Sequence, residues 1–392
     1  MINSKTKEYI SNNLEKDVSW LALHSAKDSD VDMRMAIQQI EGRQKAKHKL
    51  PELFMLDDII YPQRISIEQC SSSASASYKA SLFSGETFAD LSGGFGVDTF
   101  FFSKQFKNGI YVEPNEELCT IFDYNSKILK INNVSIVNSN LENFIDSLNR
   151  VDFIYIDPSR RDNYGKRVYE IHDLTPNVLL FKDKLLSKSK HLMIKLSPML
   201  DITALKRQLP EIYELHVVAV NDECKELLCV LDKDNKNADF QIVTKNIKAN
   251  SEETYIGKYL RERALKPLFV SEIEQFLYEP NAALMKSNLY NSLCYDFGVK
   301  KLARETNLFT NSYPIENFPG RSFKVLNIIP YQPKKIRKEL KHIKSASITV
   351  RNFTISAMEL RKSLKIKEGD KIFIFGTTLS SNNRVIIVCE KL

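Results

Sequence analysis

The stretch "FADLSGGFGVDTFFFS", Phe88–Ser103, sets three glycines and two aspartates between two apolar runs. The first run reads as a strand and the second as the start of a helix. Gly93, Gly94 and Gly96 let the backbone turn sharply between them and let a ligand approach with no Cβ in the way. The helix that follows offers unpaired N–H groups in its first turn. A dinucleotide-binding loop of the form G-x-G-x-x-G needs a glycine three positions after Gly96, where this chain has Thr99, so that fingerprint fails. Asp90 argues the same way: a carboxylate just before the turn repels phosphate and attracts an ammonium or sulfonium. A strand-to-helix turn whose glycines serve packing alone is the alternative.

Outward from this stretch, apolar segments recur at crossover spacing: "TFADLS", "GIYVEP", "VSIVNS", "DFIYIDP" and "HLMIKLS". Helical stretches between them predict a parallel sheet covered on both faces. "IYELHVVAV" and "ELLCVLD" follow, separated only by "NDECK". That is too short for a crossover helix, so the pair is expected to be an antiparallel hairpin at the sheet edge. The result is a doubly wound α/β, Rossmann-like sheet of seven strands. It resembles the class I methyltransferases that use S-adenosylmethionine, whose ligand carries a cationic amine and no phosphate.

Further candidates stand at the carboxyl ends of these strands. Glu113 in "YVEPN" is placed to accept hydrogen bonds from two ribose hydroxyls; an exposed loop acid is the alternative. Asn140, with Ser139 beside it, ends the third strand near the expected adenine edge, or else caps the helix "LENFIDSL". Methyltransferases of this class often carry an aspartate there. The fourth strand ends in Asp157-Pro158-Ser159-Arg160, facing the place where a methyl group would be presented. Asp157 could accept a proton from a ring nitrogen or amine held in line with a sulfonium. Amine-methylating enzymes place an aromatic where this chain has Arg160, which argues against standard exocyclic-amine methylation. Arg160, Arg161, Lys166 and Arg167 form a loop suited to phosphates or a base edge, or a solvated basic loop. No cysteine stands at the end of the fourth or fifth strand, so a thiolate attack on a pyrimidine is disfavoured. Lys195 and Ser197 are further pocket candidates.

The chain has 392 residues, 43% hydrophobic and 27% charged, with a formal net charge of +7, ordinary for a globular protein. Its start is polar and no long apolar run predicts a membrane span, so a cytoplasmic protein is expected. Six cysteines lie without metal-ligand spacing, and neither a metal site nor a disulfide framework is expected. Charge concentrates towards the C-terminus: from Gln332 to Lys367, eleven Lys and Arg face two Glu. Such a stripe attracts phosphates by counterion release, or is a solvated helix face.

Four regions are expected: a helical N-terminal region, 1–65; a methyltransferase domain, 66–240; a middle domain, 241–330, with "LYEPNAALMKSNLYNSLCYDFGVKKLA" read as helices; and a small α+β unit, 331–392. Taken together, "DLSGGFGVD", "YVEPN", "DPSRR", "YEPNAALMK", "FPGRSFKV" and "ITVRNFTISAMELRKSLKIKEGDKIFIFGTTL" resemble a bacterial family of S-adenosylmethionine-dependent methyltransferases with a C-terminal THUMP-like domain. The resemblance implies a ferredoxin-like middle domain, S-adenosylmethionine as cofactor and a tRNA or rRNA substrate. It assigns Asp90, Ser92, Gly93, Gly94, Gly96, Glu113 and Asn140 to the cofactor, and Asp157 and Pro158 to methyl transfer. Two other functions remain open: methylation of a protein or small molecule, and RNA binding without catalysis.

Overall fold

The computed structural model describes residues 2–24, 30–159, 170–234 and 239–392. Contact density divides the chain into two compact units, Met1–Ile212 with Leu228–Lys236, and Tyr213–Leu227 with Asn237–Leu392. The N-terminal helices Ser4–Asn13, Val18–His24 and Met33–Lys49 bury Ile10, Leu21, Ala36 and Ile40 against one another. The serine-rich segment folds as the helix Ser73–Ser81, capped by Ser72.

The first sheet contains β1 (Gly85–Asp90), β2 (Phe106–Glu113), β3 (Val134–Asn138), β4 (Val151–Ile156), β5 (Ser189–Leu196), β6 (Ile212–Val220), β7 (Glu223–Leu231), β8 (Gln241–Ile247) and β9 (Glu252–Lys258). Its order is β3-β2-β1-β4-β5-β7-β6-β8-β9. The first five strands pair in parallel, and the order reverses between β1 and β4. Doubly wound sheets take their ligands at the carboxyl ends beside such a reversal. β4 is apolar and almost wholly buried, as a strand covered on both faces must be. Phe153 on β4 stacks on Phe106 and meets Phe102 edge-on.

Two expectations are corrected. β6 and β7 are neighbours joined by the two-residue turn Asn221–Asp222, both at positive φ, the geometry of a tight hairpin. The hairpin is not the sheet edge, however, and the sheet has nine strands instead of seven. β8 pairs in parallel with β6, and β9 runs antiparallel on β8. Buried polar residues hide β8 from a hydropathy reading: Thr244 and Asn246 are fully buried. Thr244 donates to the Tyr255 carbonyl, and Asn246 donates to Asp222 and Glu253. The second correction concerns "LYEPNAALMKSNLYNSLCYDFGVKKLA", where "LYEP" lies in the strand Phe276–Pro280 and "KKLA" is the strand Lys300–Ala303. Helices Ala282–Ser287 and Tyr290–Phe297 lie between them, the first capped by Asn281.

The second sheet contains β10 (Phe276–Pro280), β11 (Lys300–Ala303), β12 (Thr306–Asn311), β13 (Gly320–Pro330), β14 (Ser347–Arg351), β15 (Ile372–Thr378) and β16 (Arg384–Lys391), in the order β11-β12-β10-β13-β16-β15-β14. One face buries Leu277, Leu308, Phe323, Phe375 and Ile387. The other buries Ile348, Ile374 and Val388 beneath the helices Pro333–Glu339 and Ala357–Leu364, which contribute Ile336 and Leu360. The sheet curls so that β12 comes against β14 and β15: Thr306 on β12 donates to the Thr378 carbonyl, and Asn352 just after β14 donates to Thr306.

Candidate functional site

Strand register sets the height of each candidate. Asp90 lies level with Tyr111 and Tyr155. Glu113 pairs with Asn138, and Asp157 and Lys195 follow directly on the Ile156–Ile194 pair. Four polar residues thus rim the carboxyl ends of β2, β3, β4 and β5, one step beyond the glycine loop.

Tight packing forms that loop. A Cβ on Gly93 would lie 2.2 Å from the Tyr111 ring, and one on Gly96 2.2 Å from the ring of Phe122. Gly96 also needs φ +83°, where it precedes the helix Val97–Phe102. Gly94, at φ +53°, differs: a Cβ there would meet nothing closer than the Ser92 carbonyl at 3.8 Å. The loop is sealed against the sheet and open at Gly94. Glu113 borders this opening, accepting from the amides of Gly94 at 2.8 Å and Asn115 at 2.9 Å. Tyr111 donates to the Gly94 carbonyl at 2.7 Å. An adenosyl ligand carrying a cation and no phosphate fits such a cradle, with main chain on one side and a carboxylate on the other.

Asp90 acts on the loop from within. It is 1% exposed, accepts from the amide and hydroxyl of Ser92, and accepts from Thr99 at 2.6 Å. Thr99, the residue that breaks the dinucleotide fingerprint, is therefore the partner of the acid. Burial pushes the Asp90 carboxyl up to about 7, against the opposing hydrogen bond from Thr99. Ser92 links two strand ends by also accepting from the Asp157 amide at 2.6 Å.

At the β4 end, Asp157 is ion-paired with Lys195, and Pro158 is buried beside it. Ser159 exchanges two backbone hydrogen bonds with Thr175. Arg160, Arg161, Lys166 and Arg167 lie outside the described residues. Asn140 is exposed and caps the helix Leu141–Phe144 by accepting from the Asn143 amide, so the capping alternative describes its contact. Asn138, which sequence reading passed over, donates to the carbonyls of Glu113 and Pro114 and fixes the turn beyond β2.

Sequence reading also missed a buried charge network behind the loop. Lys79, fully buried, pairs with Asp98 at 2.8 Å and donates to Ser71. Ser71 and Tyr155 both donate to Asp98. Burial acts most strongly on Asp98 and would raise its carboxyl. The ammoniums of Lys79 and Lys195, with hydrogen bonds from Lys79 and Ser71, outweigh burial and hold it below the usual range. These partners come from segments far apart in sequence, and the only signal available was polar residues inside the helix Ser73–Ser81.

In the second unit, the helices Pro333–Glu339 and Ala357–Leu364 pack together, with Arg337 donating to the Ser363 carbonyl. Lys334, Lys338, Lys341, Lys344, Lys362 and Lys365 on and around them are exposed. Nearby ion pairs are long, Lys335–Glu339 at 3.9 Å and Arg361–Glu368 at 3.6 Å. Among the described residues, no helix is long and apolar enough to cross a membrane, and no group of three His, Cys, Asp or Glu is arranged to hold a metal.

Fold and site together define an α/β protein whose strand order reverses between β1 and β4, with a second, mostly antiparallel sheet in which only β14 and β15 pair in parallel. Residues 320–391 match the THUMP domain-like family and residues 276–319 a ferredoxin-like domain family. Over the full length of both chains, this protein is 28% identical to the "putative methyltransferase from Porphyromonas gingivalis W83", with a TM-score of 0.89. The resemblance read from the motifs is thus met at the C-terminus by a family match and along the whole chain by a structural one. Far weaker likenesses include an rRNA methylase from Streptococcus thermophilus (15% identity, 41% of this chain, 93% of that one, TM-score 0.31). Another is TrmK of M. capricolum in complex with S-adenosyl-homocysteine (12% identity, 45% of this chain, 71% of that one, TM-score 0.32). Both fall far below the level at which a fold is demonstrated. No curated protein matches.

Proposed function

We propose that this protein is a class I S-adenosylmethionine-dependent methyltransferase that transfers a methyl group directly to a base nitrogen of tRNA or rRNA. The observation that carries this reading is the loop open at Gly94 with the Glu113 carboxylate on its rim. When bound, S-adenosylmethionine supplies an electrophilic methyl on a sulfonium centre. Glu113 accepts from the ribose hydroxyls, and Ser92, Gly93, Gly94 and Gly96 give the ligand close access to main chain. Asp90 keeps that loop in shape, and Asn140 offers its side-chain N–H groups to the adenine edge while its oxygen keeps the helix cap. Asp157, held by Lys195, takes the proton that the acceptor nitrogen loses as it gains the methyl. Pro158 stiffens that turn, and Arg160 meets the substrate. Positioning does most of the work.

In this reading 1–65 supports the cofactor domain, 66–240, while 241–330 and 331–392 present the RNA. The exposed lysines of the C-terminal helices supply sequence-independent attraction for its phosphates. Calorimetry with S-adenosylhomocysteine tests the foundation: binding is expected, weakened about tenfold (~1.4 kcal/mol) in E113Q, and no heat at millimolar ligand overturns it. Mass spectrometry of tRNA and rRNA nucleosides from cells with and without the gene should then reveal one missing methylated base. Intact RNA methylation beside a lost protein or metabolite methylation would reject RNA as substrate.

A further inference from the structure

Three of the motifs that carried the resemblance converge on one carboxylate. Glu279 of "YEPNAALMK" stands on β10 directly opposite Arg321 of "FPGRSFKV" on β13. Arg351 of "ITVRNF" ends β14 at the far side of the sheet, and the curl brings it to the same acid. Glu279 is 2% exposed. One oxygen accepts from Nε and Nη2 of Arg321, and the other accepts from Nη2 of Arg351 at 2.8 Å.

The Arg321 and Arg351 side chains are 36% and 37% exposed above a carboxylate that is covered. Two guanidiniums on one acid leave a single net positive charge. The Arg351 Nε–H is buried and makes no hydrogen bond among the described residues, so the exposed part of this guanidinium is its Nη end. Arginine forks held side by side match the oxygens of a phosphate better than a lysine point charge does.

We propose that Arg321 and Arg351, aligned by Glu279, form a phosphate-binding site that grips the backbone of an RNA strand. The proposal rests on the RNA reading above. RNA is favoured over an acidic peptide because the same unit carries eleven Lys and Arg against two Glu between Gln332 and Lys367, a charge suited to a regular polyanion. Glu279 is a positioning residue: it holds Nε and Nη2 of Arg321 and Nη2 of Arg351, while Arg351 Nη1 donates to the Val350 carbonyl at 3.2 Å, so the ligand is met by Nη1 of Arg321 and the second N–H of each bonded Nη.

The test measures binding of a fluorescent oligouridylate RNA by the full-length protein across a potassium chloride series. R321Q and R351Q are each expected to weaken binding about five- to twentyfold at low salt, and each to flatten the log–log salt dependence by about one phosphate contact. Thermal melting identifies variants that fail to fold. Should both do so, R351K carries the test, since a lysine can keep the ion pair to Glu279 but offers no fork; its expected loss is about threefold. Folded Gln variants with wild-type affinity and salt slope, or a folded R351K with wild-type affinity, overturn the site and leave the RNA reading standing. A wild-type protein that binds no RNA overturns both.

Discussion

Two regions of this molecule use a buried carboxylate to opposite ends. At the β1/β4 reversal, Asp90 and Glu113 turn their oxygens on their own chain, gripping the amides of Ser92, Gly94 and Asn115 and the hydroxyl of Thr99. Glu279 instead grips two arginines whose outer parts stay exposed. Where hydrogen-bond donors come from main chain, the acid shapes a loop and little charge is shown to solvent. Where the donors are guanidiniums, the acid is masked and positive charge is shown. A buried acid therefore says nothing about the sign of the surface above it until its partners are known.

The contrast is broken most severely from behind the glycine loop. In K79M the Asp98 carboxylate loses its buried counter-ion, and a loss of about 3–5 kcal/mol is expected in urea unfolding. A loss below about 1 kcal/mol would mean that Asp98 does not need Lys79.

Asp90 sharpens the comparison through pH. Its folded carboxyl, raised by burial from the ordinary aspartate range to about 7, holds a proton that the unfolded chain releases. The stability this gives is full below about pH 4 and is lost as pH rises to about 7. D90N cannot titrate, so its stability relative to wild type should improve across that window by a swing of order 2–4 kcal/mol. A difference independent of pH would remove the buried-acid description.

Within the loop, Gly93→Ala drives a methyl into Tyr111 and should destabilise by about 1–3 kcal/mol. Gly94→Ala meets open space and faces only the left-handed backbone, at about 1–2 kcal/mol. Weakened S-adenosylhomocysteine binding is expected in Gly94→Ala even after folding is allowed for. Equal binding by Gly94→Ala and wild type would mean that the ligand does not approach the main chain there.

The smallest stability effect is expected at the exposed face. K334Q/K338Q/K362Q should change unfolding free energy by less than about 0.5 kcal/mol. It should lower the RNA salt slope by up to about three contacts, as read by titration across salt. An unchanged slope would assign these lysines to solvation alone.

Much of the glycine turn and its neighbouring strand ends was legible because it is local. "DLSGGFGVD" announces a turn by its glycines, and each of Asp90, Glu113 and Asp157 ends an apolar strand, so its height in the sheet follows from the pattern. Asn140 marks the limit: an asparagine before a helix reads equally as cap or ligand contact, and its bond to the Asn143 amide occupies only its side-chain oxygen. β8 escaped because its buried positions include Thr244 and Asn246, whose burial depends on hydrogen bonds to Tyr255, Asp222 and Glu253.

By itself the sequence determined the periodicities: five crossover-spaced strands, a tight hairpin, the glycine turn and the basic C-terminal stretch, all encoded within a few residues of one another. Only tertiary structure decided which charges meet. Lys79 reaches Asp98, Lys195 reaches Asp157, and Arg351 reaches Glu279 across 72 residues. Such partners follow from strand order and sheet curl, which no local pattern specifies, and a charge takes its meaning from what desolvates it and what sits beside it.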